Sequence, residues 1–404
     1  MRILFLSDNF PPEVNAPASR TYEHALRWVK AGAEVTVITC APNFPGGKLY
    51  PGYRNRLYAR ERMDGIDVIR VWSFIAPNAG FARRVLDYLS SALTSFIAGL
   101  FQKADVIVAT SPQFFTTWSG AALGFLKRRP WVFELRDIWP ESIAAVGASG
   151  NRRLIAMLER IELALYRSAA RVVAVSPAFK DNLVSRGIDP DKIHIVTNGA
   201  DLTLWQPRDR EQPLRRELGL EDKFVFAYIG TMGMAHGLDF ILRAAERIED
   251  PRIHFLLIGD GSEAAALKRQ AVEAGLRNVS FHAPVPKQEV ARFLAAADAA
   301  LVPLRRSETF RSVIPSKIFE AAGMQRPILL GVQGQAAEIV ETHGAGLVFI
   351  PEDMDSCLSA IDRMASDAAL YERLQSGCAE LARAYDRDRL AGRMLEILQN
   401  AARR

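Results

Sequence analysis

A lysine and a glutamate lie three residues apart in the segment Pro315-Ser316-Lys317-Ile318-Phe319-Glu320. Residues three apart share one face of a helix, and proline suits the first helical position because it has no N–H to leave unpaired. The spacing predicts a helix that begins at Pro315, with exposed amides and a dipole that attract anions. A phosphorylated sugar or nucleotide would suit this site, with Lys317 on the phosphates and Glu320 on hydroxyl groups. The alternative is an ordinary capped helix whose charged residues face solvent.

A second group of chemically active residues follows the run Trp131–Leu135, whose mostly apolar residues predict a buried strand. Arg136, Asp137, Trp139 and Glu141 crowd the end of this strand. Acids suit sugar hydroxyls, an aromatic ring suits the face of a sugar, and an arginine suits phosphate. The group therefore predicts a sugar site. An internal ion pair between the arginine and an aspartate is the alternative.

The third candidate is a glycine-rich loop, residues 230–237, which follows the predicted strand Phe224–Ile229. Glycines after a strand let the backbone approach a pyrophosphate closely. The spacing is neither Gly-x-Gly-x-x-Gly nor a loop ending in Gly-Lys-Ser/Thr, so it does not favour a dinucleotide site or a P-loop. His236 can cap the following helix or touch phosphate. Further along, residues 258–262 are interpreted as a plain turn with an N-cap, and His282 is a candidate wall for a planar base.

Short β-branched runs alternate with amphipathic stretches almost throughout the chain, a pattern typical of parallel sheets covered by helices on both faces. One parallel sheet of so many strands would be unusually wide, so we predict two doubly wound, Rossmann-like α/β domains facing across a cleft. We place the first domain at residues 1–197 and the second at 198–384, with a C-terminal helix at 385–404 that crosses back to the first domain. Ligands bind at the carboxyl ends of such strands, and the candidate residues follow those ends.

Composition excludes several classes of function. Hydrophobic residues make up 49% of the 404 residues and charged residues 24%, as in globular proteins. The net charge of +5 is compatible with an anionic ligand or membrane surface, but no nucleic-acid-binding pattern accompanies it, so no nucleic-acid partner is predicted. Three distant cysteines and six scattered histidines predict a reducing compartment, no disulfide framework and no structural metal site.

The N-terminal apolar run, Ile3–Leu6, is short and is soon followed by Asp8, so it predicts a buried strand rather than a signal peptide. No segment reaches the roughly 20 apolar residues of a membrane span, and we therefore predict a cytoplasmic protein. The segment 81–101 is apolar on much of its circumference and basic at its start. It predicts a helix that lies on the cytoplasmic surface of the inner membrane, and a helix that faces the core is the alternative.

Together these segments resemble family 4 retaining glycosyltransferases of the GT-B fold, over essentially the whole chain. The resemblance rests on segments of both predicted domains that match the family in order and spacing: Phe10-Pro11-Pro12-Glu13, residues 31–39, the linker 196–201, residues 230–237, residues 258–261 and Pro315-Ser316-Lys317-x-x-Glu320. A narrower similarity is to the N-acetyl-L-fucosamine transferase-like enzymes of bacterial O-antigen and capsule assembly. It is carried by residues 42–47, 64–72 and 136–140.

The resemblance implies a retaining, metal-independent transfer of a sugar from a UDP-sugar to a lipid-linked or glycan acceptor. In this branch the sugar is expected to be an N-acetylated or deoxy amino sugar, and no cofactor is implied. The resemblance assigns catalytic roles to Asp137, Arg136, Lys317 and Glu320. Donor-binding roles fall on Gly230, Thr231, Gly233, His236, Gly261, His282, Ile314, Pro315, Ser316, Lys317 and Glu320, and acceptor-side roles on Glu13, Asn15 and Glu141.

Several positions depart from the pattern of this family. Ser312 stands where the first acid of the Glu-x7-Glu motif is usual, and Thr231 and His236 stand where the phosphate loop usually carries arginine and lysine. The paired glycines of the first loop are replaced near Asn15, and Arg136 replaces a frequent histidine. Because both loop cations are missing, Lys317 and Arg136 become the main candidates for contact with the diphosphate.

Two other functions fit the same fold, because one fold hosts many activities. A UDP-sugar 2-epimerase would turn over the nucleotide sugar without an acceptor, and a non-catalytic protein would bind it without turnover. The linker and the helix after Pro315 favour a transferase. Neither the donor sugar, the acceptor nor the oligomeric state is predicted by the sequence.

Overall fold

The computed structural model describes residues 1–13, 15–44, 46–75, 81–111, 113–138 and 152–403. These residues form two compact units. Unit 1 comprises Met1–Thr197 and Leu390–Arg404, and unit 2 comprises Asn198–Arg389. The chain therefore leaves unit 1 at residue 197 and returns to it near the C-terminus.

Unit 1 contains an eight-stranded sheet in the order β3-β4-β2-β1-β5-β6-β7-β8, in which only β3 is antiparallel to its neighbour. The strands are β1 Arg2–Leu6, β2 Glu34–Cys40, β3 Tyr58–Met63, β4 Ile66–Val71, β5 Val106–Thr110, β6 Trp131–Leu135, β7 Arg171–Ala174 and β8 Ile193–Ile195. The described helices are α1 Ala16–Lys30, α2 Phe81–Leu100, α3 Phe114–Lys127, α4 Arg152–Ser168 and α5 Pro177–Ser185, and α14 Arg387–Ala402 returns to this unit. Every residue of β5 and of β6 is buried, because helices cover both faces of a parallel sheet.

Unit 2 contains a six-stranded, fully parallel sheet in the order β11-β10-β9-β12-β13-β14. The strands are β9 Phe224–Ile229, β10 Ile253–Ile258, β11 Val279–His282, β12 Ala299–Pro303, β13 Ile328–Gly331 and β14 Gly346–Val348. The helices are α6 Gln212–Glu217, α7 Leu238–Glu246, α8 Ala264–Glu273, α9 Lys287–Ala296, α10 Lys317–Gly323, α11 Gln335–Thr342, α12 Met354–Ser366 and α13 Ala368–Ala384. The prediction of two Rossmann-like α/β domains is confirmed.

The strand order places the candidate loops in each unit. In unit 1 the order reverses at β1, whose neighbours are β2 and β5, and in unit 2 it reverses at β9, whose neighbours are β10 and β12. A crevice opens at the carboxyl ends of the strands wherever the order reverses in this way, and ligands of doubly wound sheets bind there. The loops after β1, β5, β9 and β12 are therefore those best placed for binding.

The last helix, α14, is held in unit 1 by packing and by one buried hydrogen bond. Leu390, Met394 and Leu398 are buried in a cluster with residues of β1 and α1. The indole Nε1 of Trp28 donates to the carbonyl of Ala391 at 2.9 Å. Among the described residues, no helix combines the length and the apolarity that crossing a bilayer requires.

Candidate active site

The helix α10 carries the lysine and the glutamate of the first candidate segment. It begins at Lys317, so the predicted start at Pro315 is two residues too early. The amides of Ile318 and Phe319 donate to the carbonyls of Pro315 and Ser316 at 3.2 and 3.1 Å. These bonds span three residues rather than four, so Pro315 and Ser316 form a tight turn that leads into the helix.

Lys317 is brought directly against the glycine-rich loop. Its Nζ lies 3.9 Å from the centre of the Tyr228 ring, over the face that attracts cations. A Cβ on Gly230 would lie only 2.6 Å from this Nζ, so the glycine makes room for the ammonium group. Burial lowers the pKa of Lys317 to about 8, although the negative charge of Glu320 acts to raise it. Two segments that the sequence singled out separately thus form one site.

Glu320 lies one turn further along α10 and is partly buried. Burial raises the pKa of its carboxyl, and the positive charges of Lys287 and Lys317 oppose that rise. Lys317 and Glu320 are therefore both shifted towards their neutral forms. Ionisable groups held in a poorly hydrated place at the end of a sheet are typical of functional sites.

The glycine-rich loop is fastened to the loop that follows β10. The amides of Gly230 and Met232 donate to the carbonyls of Ile258 and Asp260 at 2.9 and 2.8 Å. Gly259 allows this approach, since a Cβ there would lie 1.9 Å from the Gly230 carbonyl oxygen, at a φ of +141°. Gly261 packs in the same way against Met232. The segment 258–262 is therefore more than the plain turn that the sequence suggested, because it fixes the shape of the candidate phosphate loop.

Gly259→Ala is expected to disorder this loop, because the added methyl group displaces a backbone carbonyl, and to weaken any diphosphate binding by the loop at least about 10-fold, with UDP as the probe. Gly275→Ala is a matched control, since Gly275 also has a positive φ but a Cβ there would meet nothing within 4 Å. Calorimetric titration with UDP measures both variants. Equal affinities for the two variants would contradict the role of Gly259.

His236 lies beside Tyr228, with ring centres 5.7 Å apart in an edge-to-face arrangement. Burial, together with the positive charge of Lys317, lowers the pKa of His236 to about 4. The imidazole is therefore neutral at neutral pH. His236 can exchange hydrogen bonds with a ligand, but it does not replace the positive charge that lysine supplies at this position in the family.

Arg305 supports the same loop and was not predicted from the sequence. Its backbone amide donates to Ala235 at 2.9 Å, its Nε donates to the Met234 carbonyl at 2.6 Å, and its guanidinium pairs with Asp239 at 2.9 Å. The signal that could have identified it is its position two residues after the buried strand β12. The glycine-rich loop is therefore contacted by an arginine, although Arg305 lies outside the loop in the sequence.

The remaining donor-side candidates are less closely associated with Lys317. Thr231 is exposed, and at Gly233 a Cβ would meet no atom closer than 3.8 Å, so the backbone there is open. Ile314 is partly buried, next to the turn that precedes α10. His282 ends the edge strand β11, where its Nδ1 lies 2.8 Å from the Ala283 carbonyl and its ring packs on Phe293.

In unit 1 the dominant feature at the carboxyl end of β6 is a buried glutamate between two arginines. Glu134 Oε1 lies 2.6 Å from an Arg136 nitrogen and 3.6 Å from the Arg20 Nε. Burial would raise the pKa of Glu134, but the two guanidinium groups hold it well below its ordinary value. Arg136 also donates to the Val196 carbonyl at 3.1 Å and is only 4% exposed. The sequence left open an internal ion pair between Arg136 and an aspartate, and the structure gives Arg136 an internal partner in Glu134.

The turn that carries Asp137 is held by a serine after β5. The Oγ of Ser111 accepts hydrogen bonds from the amides of Arg136 and Asp137, at 2.8 and 3.2 Å. Asp137 itself is partly exposed at this edge of the sheet. Arg20 and Ser111 were not among the predicted site residues, because nothing local in the sequence brings α1, β5 and β6 together. Glu134 was not among them either, although it lies only two residues before Arg136.

The acceptor-side candidates on the first loop accept hydrogen bonds from backbone amides, Glu13 from the segment after β2 and Asn15 from α1. Glu13 is 4% exposed, and its Oε1 accepts from the amides of Asn43 and Phe44 at 2.8 and 2.9 Å. Burial raises the pKa of Glu13, and these amides oppose the rise. Asn15 caps α1, since its Oδ1 accepts from the Ala18 amide at 2.8 Å. The third candidate, Glu141, lies outside the described residues, as does Trp139.

A further pair of carboxyl groups, Asp8 and Asp87, was not predicted as a site. Burial and the charges of Asp87 and Glu13 raise the pKa of Asp8 to about 7, and the Sγ of Cys40 lies 3.3 Å from its Oδ1. Burial raises the pKa of Asp87 to about 6, although a hydrogen bond from Ser73 acts to lower it. Asp8 is the second residue after β1, which is the position that could have identified it.

Comparison with known proteins agrees with this architecture. Residues 15–199 match the family described as "Glycosyl transferase 4-like domain", and residues 223–367 match "Glycosyl transferases group 1". A curated relative is the "Putative colanic acid biosynthesis glycosyl transferase WcaI" of Escherichia coli, 25% identical over 89% of this chain and 91% of the relative. Another is the "Probable glycosyltransferase WbjE" of Pseudomonas aeruginosa, 27% identical over 60% of each protein.

Solved structures share the fold at lower identity. Anabaena HepE, crystallised with UDP, superposes with a TM-score of 0.72 at 19% identity, over 99% of this chain and 100% of that one. The lipopolysaccharide glycosyltransferase WaaG superposes with a TM-score of 0.69 at 15% identity, over 98% of this chain and 99% of that one. The chain thus belongs to the glycosyltransferases of GT-B fold, with a glycosyl transferase 4-like domain followed by a glycosyl transferases group 1 domain.

Proposed function

We propose that this protein is a retaining glycosyltransferase that moves a sugar from a UDP-sugar to a lipid-linked or glycan acceptor in bacterial surface polysaccharide assembly. One observation carries the proposal: Lys317 lies against Gly230, at the point where the glycine-rich loop meets helix α10. A cation and an open backbone at the carboxyl edge of a doubly wound sheet suit a nucleoside diphosphate. Unit 2 would bind the donor and unit 1 the acceptor.

The donor-side roles follow from the geometry of unit 2. Lys317 would take the diphosphate, together with the open backbone at Gly233 and the turn at Pro315 and Ser316. Neutral His236 would add a hydrogen bond, and Glu320 would hold the ribose hydroxyls. Uridine as the base is supported by HepE, whose structures were determined with UDP and with UDP-glucose.

The proposed reaction requires this site to promote departure of the diphosphate from the donor sugar. The bond between the anomeric carbon and the diphosphate oxygen breaks, and the acceptor oxygen bonds to that carbon on the same face. The acceptor proton passes to the leaving diphosphate. The transition state resembles an oxocarbenium ion, so negative charge grows on the diphosphate as the bond lengthens. A preorganised ammonium group stabilises that charge more than it stabilises the bound donor, and it thereby raises the rate.

The acceptor-side roles fall on the edge of unit 1 around β6. Asp137, partly exposed on a turn fixed by Ser111, would orient a hydroxyl of the donor or the acceptor. Arg136 is a positioning residue in this proposal, since Glu134 and the Val196 carbonyl hold its guanidinium. Glu13 and Asn15 would shape the first loop. A role for Glu141 stays a prediction.

The acceptor class rests on the relatives. WcaI is named for colanic acid biosynthesis, and WaaG for lipopolysaccharide biosynthesis. An N-acetylated or deoxy amino sugar as the transferred group stays part of the proposal, as does independence from a metal ion.

The test is release of UDP from a panel of UDP-sugars, with and without a membrane extract and with and without a chelator. We expect one UDP-sugar to be consumed only with the extract, chelator or not, and the product to keep the donor's anomeric configuration by NMR. Conversion of the donor to its 2-epimer without extract would contradict the proposal and identify the protein as a UDP-sugar 2-epimerase. Binding of UDP-sugars without any turnover would also contradict the proposal and indicate a non-catalytic protein that binds nucleotide sugars.

A further inference from the structure

The helix α2 of unit 1 exposes large apolar side chains and buries small ones. At 3.6 residues per turn, its exposed apolar residues fall within an arc of about 80° and form a row about 21 Å long. These residues are Leu86, Leu89, Leu93, Ile97 and Leu100, whereas Ser91, Ala92, Ser95, Ala98 and Gly99 are buried. An ordinary surface helix has the opposite arrangement, with its large apolar residues towards the core.

The buried face of α2 is small because α3 packs closely against it. A Cβ on Gly99 would lie 2.5 Å from a methyl carbon of Leu123, and the Oγ of Ser119 donates to the Ala92 carbonyl at 2.7 Å. Among the large apolar residues of α2, Phe96 packs against the core of unit 1, whereas the leucines of the row stay exposed.

The neighbouring helix extends the exposed apolar surface. The Nζ of Lys127 donates to the carbonyls of Leu100 and Gln102 at 2.8 Å, which joins the ends of α2 and α3. Phe101 and Phe125 are 80% and 83% exposed at this junction, beside exposed Leu126. The α2–α3 face consists of Leu86, Leu89, Leu93, Ile97, Leu100, Phe101, Phe125 and Leu126.

The charges around this face are mostly positive. Residues 83–129 contain six basic residues (Arg83, Arg84, Lys103, Lys127, Arg128 and Arg129) and two acidic ones (Asp87 and Asp105). Asp105 is paired with Arg2 at 2.7 Å. Arg83 lies exposed at one end of the row, and Lys103 and Arg129 at the other.

We propose that the α2–α3 face lies in the headgroup region of an anionic lipid bilayer. Apolar side chains would enter the boundary of the acyl chains, and the basic residues at both ends would meet lipid phosphates. A second copy of the chain is the less favourable occupant, because a symmetric pair would bring the same basic residues against each other.

This contact would bring the acceptor side of the protein to the membrane. The first half of α2 lies beside the carboxyl edge of the sheet, because the Oγ of Ser90 accepts from the Phe74 amide at 2.8 Å and the Oγ1 of Thr94 donates to the Trp72 carbonyl at 2.7 Å, just after β4. The loops of that edge would therefore reach a lipid-linked acceptor. This consequence depends on the proposed function, whereas the membrane contact itself does not.

The test is co-sedimentation of the full chain with vesicles of phosphatidylcholine alone and of phosphatidylcholine with phosphatidylglycerol. We expect binding to the anionic vesicles, reduced at least about 10-fold in Leu93→Glu/Ile97→Glu. Lys103→Gln/Arg129→Gln should reduce it at least about 5-fold. The matched control is Met157→Glu/Val272→Glu, whose native side chains are 50% and 80% exposed elsewhere on the surface, and which should bind as the wild type does.

Wild-type protein that stays in the supernatant with anionic vesicles would overturn the proposal, as would undiminished binding of Leu93→Glu/Ile97→Glu. Sedimentation velocity without lipid adds a second criterion. A dimer that this variant converts to a monomer would make the face a protein interface instead. Titration with UDP separates this proposal from the proposed function, because UDP affinity should be unchanged in all these variants.

Discussion

Lys317→Ala lowers kcat/KM for sugar transfer at least about 10-fold, and it weakens UDP binding in parallel, if Lys317 is the main cation of the diphosphate site. A hydrogen bond to a charged group contributes about 1.5–3 kcal/mol, which corresponds to roughly 10- to 100-fold. The family's loop arginine and lysine are replaced by Thr231 and His236, and the imidazole is neutral, so neither residue compensates. Steady-state kinetics and calorimetric titration with UDP measure the two effects.

The pH dependence of UDP binding gives this prediction a second readout. Burial places the pKa of Lys317 near 8, so the free protein carries the charge below about pH 8 and loses it above. The affinity for UDP should therefore change little between about pH 7 and pH 8, where the UDP phosphate is ionised, and fall by up to about 10-fold per pH unit above pH 8. Lys317→Met, which keeps the aliphatic chain over Tyr228, should remove this dependence.

Lys268→Ala is the control for a general effect of losing a lysine, because Lys268 is exposed on α8. It should leave kinetics and pH dependence unchanged. Wild-type kinetics in Lys317→Ala, or a wild-type affinity for UDP that does not change above pH 8, would contradict the assignment of Lys317.

Glu134→Ala is expected to lower the free energy of unfolding of unit 1 by about 3–5 kcal/mol, the range found when one partner of a buried ion pair is removed. The reason is that the Arg136 and Arg20 guanidinium groups, 4% and 11% exposed, would lose the carboxylate between them. Five of the six tryptophans lie in unit 1, so the urea dependence of tryptophan fluorescence follows this unit: Trp28, Trp72, Trp118, Trp131 and Trp139.

Arg60→Ala is the matched control, since the pair of Arg60 and Asp67 is largely exposed in the same unit and should contribute less than about 1 kcal/mol. The pKa of Glu134 is depressed in the folded state, so its stabilisation is present above the ordinary glutamate pKa of about 4.3 and is lost as the pH falls below it. The difference in the free energy of unfolding between wild type and Glu134→Gln should therefore shrink as the pH falls below that value. A loss below about 1 kcal/mol in Glu134→Ala would contradict the buried-pair interpretation.

The fold was largely predictable, because a strand buried on both faces needs an unbroken apolar run, and that run is visible locally. Residues 3–6 and 106–109 are such runs, and both are buried in strands, β1 and β5. The strand β3 was missed because its sequence, Tyr-Ala-Arg-Glu-Arg-Met, is polar. An antiparallel strand at the edge of a sheet pairs with a single neighbouring strand and does not need an apolar sequence of its own. The sequence signal for β3 is instead the tight turn at Asp64 and Gly65, where φ is positive at both residues.

The sequence by itself determined the two Rossmann-like domains and the segments that carry the candidate chemistry, because periodicity, glycine and proline act over a few residues. Only the tertiary structure decided which side chains meet. Strand order brings Lys317 to Tyr228 and Gly230, and it brings Arg20 of α1 to Glu134 of β6. The sequence of α2 left open which face is exposed, and its packing on α3 turned the leucines outwards. Charge pairing and exposure depend on neighbours that are distant along the chain, and only the packed sheet specifies those neighbours.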